Sequence, residues 1–179
     1  MDIDRSVRLL DKETFMKDFG VRLADGVKMV GYQSENKITN TGAEAWTKEK
    51  GLVSVWMLGC FNPTPTTTVF IPYNKQAEGK IVNDTYFGKI PSDRLLVEDG
   101  LLYFKIDGKY RSKLGIPAGR ATDLCGSYDS EKGVLTILWC SLPAAPATYV
   151  NGQWGPQENP FDGDVINSYN DGPVEDGSI

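Results

Sequence analysis

Apolar and polar residues alternate over short stretches through most of the chain, and one segment departs from that period of two. The opening IDRSVRL sets Ile3, Val7 and Leu9 against charged neighbours, the pattern of a half-buried strand with Arg5 intruding on the apolar side. The departure follows at once. Asp11 can cap KETFMKDF, Leu10 and Phe15 stand at the two positions of a hydrophobic staple, and Gly20 sits where a left-handed residue closes a helix. This spacing predicts a helix over 12–19.

Beyond Gly26 the alternation predicts a succession of strands: VKMVGYQS, ENKITNTG, LVSVWMLGCF, TTTVFIPY, RLLVEDG, LLYFKIDG, YRSKLG, ATDLCGSYD, GVLTILWCSL, ATYVNG and GDVINSY. Gly, Pro, Asn and Asp punctuate these β-branched and aromatic runs, as in sandwiches and barrels. EDG (Glu98 to Gly100) and SEKG (Ser130 to Gly133) are hairpin signals, so neighbouring strands are expected to pair antiparallel. From Pro143 to Pro173 five prolines and many glycines predict long surface loops, where binding groups are often carried. The expected fold is an all-β, mainly antiparallel sandwich with one short N-terminal helix, a single domain over residues 1–179 whose 143–179 region is rich in Pro and Gly. No closing strand or helix follows Val165 and Ile166, so an open sheet edge and self-association are expected.

Composition narrows the chemistry. With 179 residues, 40% of them hydrophobic and 24% charged, the chain has the make-up of a folded domain. Its net charge of −5 argues against general affinity for nucleic acid, which demands clustered cations. No apolar run approaches the roughly 20 residues of a membrane helix, and MDIDRSVRLL lacks the apolar centre of a signal peptide, so no membrane insertion is expected. There is no histidine at all, which removes Ser-His-Asp and Cys-His catalysis and His-based zinc sites. Cys60, Cys125 and Cys140 are far apart and odd in number, which predicts buried free thiols rather than a disulfide framework or a metal site. Neither a metal nor a cofactor is expected.

Several groups of residues remain as candidates for a site. In DGKYRSKLG a period of two places Lys109, Arg111 and Lys113 on one face, either as a solvated edge or as a cradle for a carboxylate, sulfate or phosphate. Trp56 and Trp139, inside apolar runs, are expected in the core. Trp154, among Gly, Pro, Asn and Gln, could instead stack on a sugar ring. Glu158, Asp162, Asp164 and Asp171 are either solvated loop acids or the source of a carboxylate pair for glycoside chemistry, and Asn167, Tyr169, Asn170 and Asp171 form a dense polar cluster.

The strings ITNTGAEAWTKEKGLVSVWMLGCFNP, TTTVFIPY, VNDTYFGKIPSDRL, FKIDGKYRSKLGIP, GSYDSEKGVLTI and GDVINSYNDGP together resemble a family of uncharacterised bacterial proteins, common in carbohydrate-degrading gut-type bacteria and related to galactose-mutarotase-like supersandwiches. The resemblance spans nearly the whole chain. It implies a mutarotase-like β-sandwich that binds or helps to process carbohydrate, with a periplasmic or cell-surface location, though the residues leave the cytoplasm open. Mutarotases act through a histidine and a glutamate, so no catalytic residue of theirs maps onto this chain. Members of the resembling family continue past NSYNDGP, which makes this chain read as a piece of a larger sandwich. The residues expected to line a ligand site are Lys109, Arg111, Trp154, Asn167, Tyr169 and Asp171: Lys109 and Arg111 to hold a charged or hydroxyl-rich ligand, Trp154 to stack, Asn167 and Asp171 to orient. The alternatives are a sugar-active enzyme with an Asp/Glu pair and a structural or partner-docking β module.

Overall fold

The computed structural model describes residues 1–53, 55–143, 147–153, 155–174 and 177. The chain is mainly antiparallel β, and it divides into two compact units, residues 1–53 and 54–179.

In the first unit β1 (Asp2–Leu10) pairs along its whole length with β2 (Gly31–Thr39), from Asp2↔Thr39 to Leu10↔Gly31. Between them lies α1 (Lys12–Phe19). Its ends are set locally, as the sequence predicts. The Asp11 carboxylate accepts the N–H of Thr14 at 2.7 Å, and Gly20 takes the left-handed conformation at φ 63° while the Val21 N–H closes on the Met16 carbonyl at 3.1 Å. One expectation is corrected here. VKMVGYQS and ENKITNTG are not two strands, because β2 runs straight through Ser34 and Glu35, each paired across to β1. Ser-Glu-Asn holds no residue that demands a positive φ, so nothing opposes continuing the ladder.

The second unit carries a five-stranded sheet in the order β4 (Leu95–Glu98), β5 (Leu101–Lys105), β3 (Thr67–Pro72), β7 (Leu124–Asp129) and β8 (Val134–Trp139), and a separate ladder of β6 (Ser112–Pro117) with β9 (Asp164–Asn170). Both hairpin signals hold. Asp99 and Gly100 (φ 87°) join β4 to β5, and residues 130–133, ending on Gly133 (φ 63°), join β7 to β8. The core follows from side-chain parity. Val69 and Ile71 of β3 lie opposite Phe104 and Leu102 of β5, and with Leu114 and Ile116 of β6 and Ile90 they form one buried cluster. The five-stranded sheet and the β6–β9 ladder thus share a core in a sandwich-like arrangement, each fully buried aliphatic or aromatic side chain contributing about 1.5–3 kcal/mol. On the other face of β3, Phe70 lies over Gly126 of β7. A Cβ at 126 would come within 2.5 Å of Phe70 Cζ and 2.3 Å of the Thr136 carbonyl oxygen, so only glycine fits.

Three buried polar groups hold the loops. Asp107, just beyond β5, receives both arms of the Arg94 guanidinium at 3.0 and 3.1 Å, the Lys109 N–H at 3.1 Å and the Asn170 amide at 3.3 Å. Burial raises its pKa, but the Arg94 bonds, the Lys109 N–H and Asn170 outweigh that and hold the carboxyl well below its ordinary range. Asp129 accepts from the Thr64 and Thr66 hydroxyls and from the N–H groups of Glu131 and Lys132, which closes the β7–β8 turn. Arg120 donates to the carbonyls of Asn74, Lys75 and Gly79, and so clasps a segment that joins no sheet.

Two apolar runs depart from expectation. No strand forms among the described residues of LVSVWMLGCF, and Trp56, expected in the core, is 54% exposed. β-Propensity creates a strand only where a neighbour supplies the ladder, and this segment has none among the described residues. Trp139 is likewise exposed, because β8 is the last strand of its sheet and no layer among the described residues of its unit covers it; its indole N–H donates to Asp123 Oδ2 at 3.0 Å. ATYVNG contributes only a single bridge, Tyr149 to Asp162. All three cysteines are free, but Cys60, expected to be buried, is exposed, since it belongs to the segment without a ladder; Cys125 and Cys140 are half-buried. No helix among the described residues is long and apolar enough to cross a membrane.

Candidate functional site

β6 and β9 run antiparallel, so the start of one meets the end of the other. Ser112 pairs with Asn170, Lys113 with Tyr169, Gly115 with Asn167. Ser112, Leu114 and Ile116 point into the core, which turns Lys113, Gly115, Asn167 and Tyr169 to the opposite face. Just before β6, Arg111 continues this end of the ladder, and Lys109 and Asp171 flank it in the adjoining loops.

This geometry brings five of the sequence-derived candidates to one end of one ladder. Lys109 is exposed, with its backbone anchored on Asp107. Arg111 is exposed and its guanidinium lies 4.8 Å from the Phe87 ring centroid. Tyr169 is 40% exposed and its ring is tilted against Phe87 at a centroid separation of 6.2 Å. Asn167 donates its amide to the Asp164 carbonyl at 3.3 Å, and Asp171 is exposed beside the Gly108 turn. Trp154 lies outside the described residues. The expected row of three cations on one strand face is corrected, because the strand begins only at Ser112 and Lys113 is buried at 2% exposure.

Lys113 is the centre of what the sequence did not disclose. Its ammonium stands 3.9 Å from the ring centroid of Tyr86, 5.0 Å from Tyr169 and 5.4 Å from Trp56. Three electron-rich rings around a buried ammonium replace part of its lost hydration. Beside it the Asp164 carboxylate accepts a short hydrogen bond from the Tyr86 hydroxyl and one of 3.3 Å from the Asn83 amide. Gly115 makes room for that carboxylate, since a Cβ there would sit 2.1 Å from Asp164 Oδ2; the register shift between Ile116 and Pro117 sets Asp164 opposite Pro117. Asn83 is held alongside by paired backbone bonds to Gly115, both 2.8 Å. Burial pushes the Asp164 carboxyl up, against the hydrogen bonds of Tyr86 and Asn83 and the charges of Lys113 and Lys80. Burial also pushes the Tyr86 phenol up, reinforced by its bond to the Asp164 carboxylate.

Of the four C-terminal acids, Asp164 alone is drawn into this cluster, while Glu158, Asp162 and Asp171 are exposed. Among the described residues no group of three or more His, Cys, Asp or Glu side chains converges as metal ligands would. Tyr86, Phe87 and Asn83 come from a loop without periodicity. The one sequence signal for them is Gly115, a glycine inside an apolar strand, which marks a close approach by another group.

A family model matches the chain from residue 1 to 179, and its description is a family of unknown function, DUF6786. The chain belongs to that family. No curated protein and no solved structure matches this DUF6786 chain. The Lys113 cage and the Arg111–Phe87–Tyr169 platform are therefore read on their own chemistry.

Proposed function

We propose that this DUF6786 chain is a carbohydrate-binding or carbohydrate-processing accessory domain of mutarotase-like architecture, and that the sugar docks on the outer face of the β6–β9 ladder. The observation that carries the reading is the half-exposed Tyr169–Phe87 pair, flanked by the Arg111 guanidinium and the Asn167 amide on a face turned away from the core. An aromatic surface accepts the C–H face of a pyranose, and the neighbouring amide, carboxylate and guanidinium groups match its hydroxyls. In this reading Tyr169 stacks, Arg111 and Lys109 hold the polar substituents, and Asn167 and Asp171 orient the ring. Titration calorimetry against a panel of oligosaccharides tests it. Tyr169→Ala is expected to weaken binding by about 1 kcal/mol, roughly fivefold. A panel that gives no heat with the unaltered chain would remove the reading.

A second reading rests on a different observation. β8 ends its sheet with Val134, Leu135, Ile137, Leu138 and Trp139 all exposed, and its outer edge pairs with no strand among the described residues. An exposed apolar edge strand suits a partner-docking module or self-association. Light scattering over a hundredfold range of concentration is expected to show growth in mass that Ile137→Lys suppresses; a constant monomer mass would dismiss it.

A further inference from the structure

The platform on the β6–β9 ladder has a charge that its carbohydrate reading does not require. The whole chain carries −5, yet Lys109, Arg111 and Lys113 gather at this one end of β6, with Lys80 close enough to act on Asp164. Elsewhere in the second unit Arg94 and Lys105 pair with Asp107, Lys89 with Asp84 and Lys75 with Asp99, and Arg120 is held by three carbonyls. Among the described residues neither Arg111 nor Lys113 has a carboxylate within ion-pair distance.

The two cations are held by rings instead. The Arg111 guanidinium lies over the Phe87 ring, 4.8 Å from its centroid, and makes no ion pair among the described residues, so its fork of N–H donors can take a planar anion. That stacking also pins a long side chain, so less rotamer freedom is lost when a ligand binds. Lys113 adds a buried positive charge one strand repeat further on, behind Tyr169. The Asp164 carboxylate, on which the Lys113 charge acts, is already engaged by Tyr86 and Asn83. A buried charge without a contact counter-ion is costly, and an anion brought near it recovers part of that cost.

We infer that the ligand of this face is an acidic sugar, whose carboxylate or sulfate group docks on the Arg111 fork in the field of Lys113 and Lys109 while its ring lies on Tyr169. The inference rests on the carbohydrate reading above and adds the anionic substituent to it. Both anion chemistries have the same requirement, oxygen acceptors spaced for the guanidinium edge.

The test compares three matched oligosaccharides on the full chain by titration calorimetry: one neutral, one with uronic acid units and one sulfated. At least one acidic ligand is expected to bind tenfold or more tightly than the neutral one, and which of the two does so identifies the anion. Arg111→Ala, at an exposed position, is expected to abolish that preference, lowering affinity for the acidic ligand tenfold or more and for the neutral ligand by far less. Raising sodium chloride from about 50 to 300 mM is expected to weaken the acidic ligand alone. Equal affinity for neutral and acidic ligands would overturn the inference and leave the carbohydrate reading standing. Equal binding of inorganic sulfate and the sulfated sugar would overturn it as well, since the sugar ring would then contribute nothing. Silence from all three sugars would defeat the carbohydrate reading, and this inference with it.

Discussion

Replacing Asp107 by Asn keeps the shape of the side chain and removes its charge, which isolates what the Arg94 pair contributes. The carboxylate is 5% exposed and Arg94 13%, so the substitution leaves a guanidinium nearly buried without its counter-ion. Breaking a fully buried pair costs about 3–5 kcal/mol. Arg94 keeps its position 5.0 Å from the Tyr110 ring centroid and some access to water, which places the expected loss at about 2–3 kcal/mol. The dependence on pH has a definite sign. Because the folded-state pKa is depressed, the carboxylate's stabilising contribution is present above its ordinary pKa of about 3.9 and is lost as pH falls below that value toward the lowered one. Urea denaturation at pH 7 and again at pH 3 reads both. The gap between the two proteins should be about 2–3 kcal/mol at pH 7 and visibly smaller at pH 3. A loss below 1 kcal/mol at pH 7, or a gap that does not shrink in acid, would refute the reasoning.

Three further perturbations probe the rest of the fold and the site. Gly126→Ala should cost about 1–3 kcal/mol or more in the same urea assay, because its Cβ would collide with Phe70 and with the Thr136 carbonyl; an unchanged midpoint would show that β7 and β8 can part without penalty. Asp164→Asn should act with the sign opposite to Asp107→Asn: a raised folded pKa means the unaltered chain loses stability as pH climbs from about 3.9 through the raised value, and the variant should lack that decline. Thiol labelling of the native protein should modify Cys60 quickly and Cys125 slowly, since burial pushes the Cys125 thiol up to about 11, and denaturant should release three equivalents; three equally fast thiols in native buffer would contradict the burial pattern.

What the sequence discloses depends on how local the deciding interaction is. Asp11, Gly20, Asp99-Gly100 and Gly133 act within a few residues of themselves, and α1 and both hairpins stand where those residues predict. The apolar runs around Trp56 and Trp139 predict core, yet both rings stand exposed, for a single physical reason: an apolar run records that a segment tolerates burial, and whether a sheet or a layer is there to bury it depends on distant chain. The candidate site shows the same division. Lys109, Arg111, Tyr169 and Asp171 stood out by residue type, but their meeting depends on β6 pairing with β9 across some 50 residues of intervening chain, which no local pattern encodes. The burial of Lys113 was hidden because its cage is assembled from Trp56, Tyr86 and Tyr169, three rings from three segments.

Arg120 has a consequence for how the molecule breathes. Its guanidinium gathers the carbonyls of Asn74, Lys75 and Gly79, groups that a sheet would otherwise have satisfied one neighbour at a time. Bonds that share a donor side chain are released together when that side chain swings out. The 74–79 segment should therefore open as one cooperative step and not fray residue by residue, with its slow amides exchanging at a common rate and a protease finding the loop either closed or wholly available.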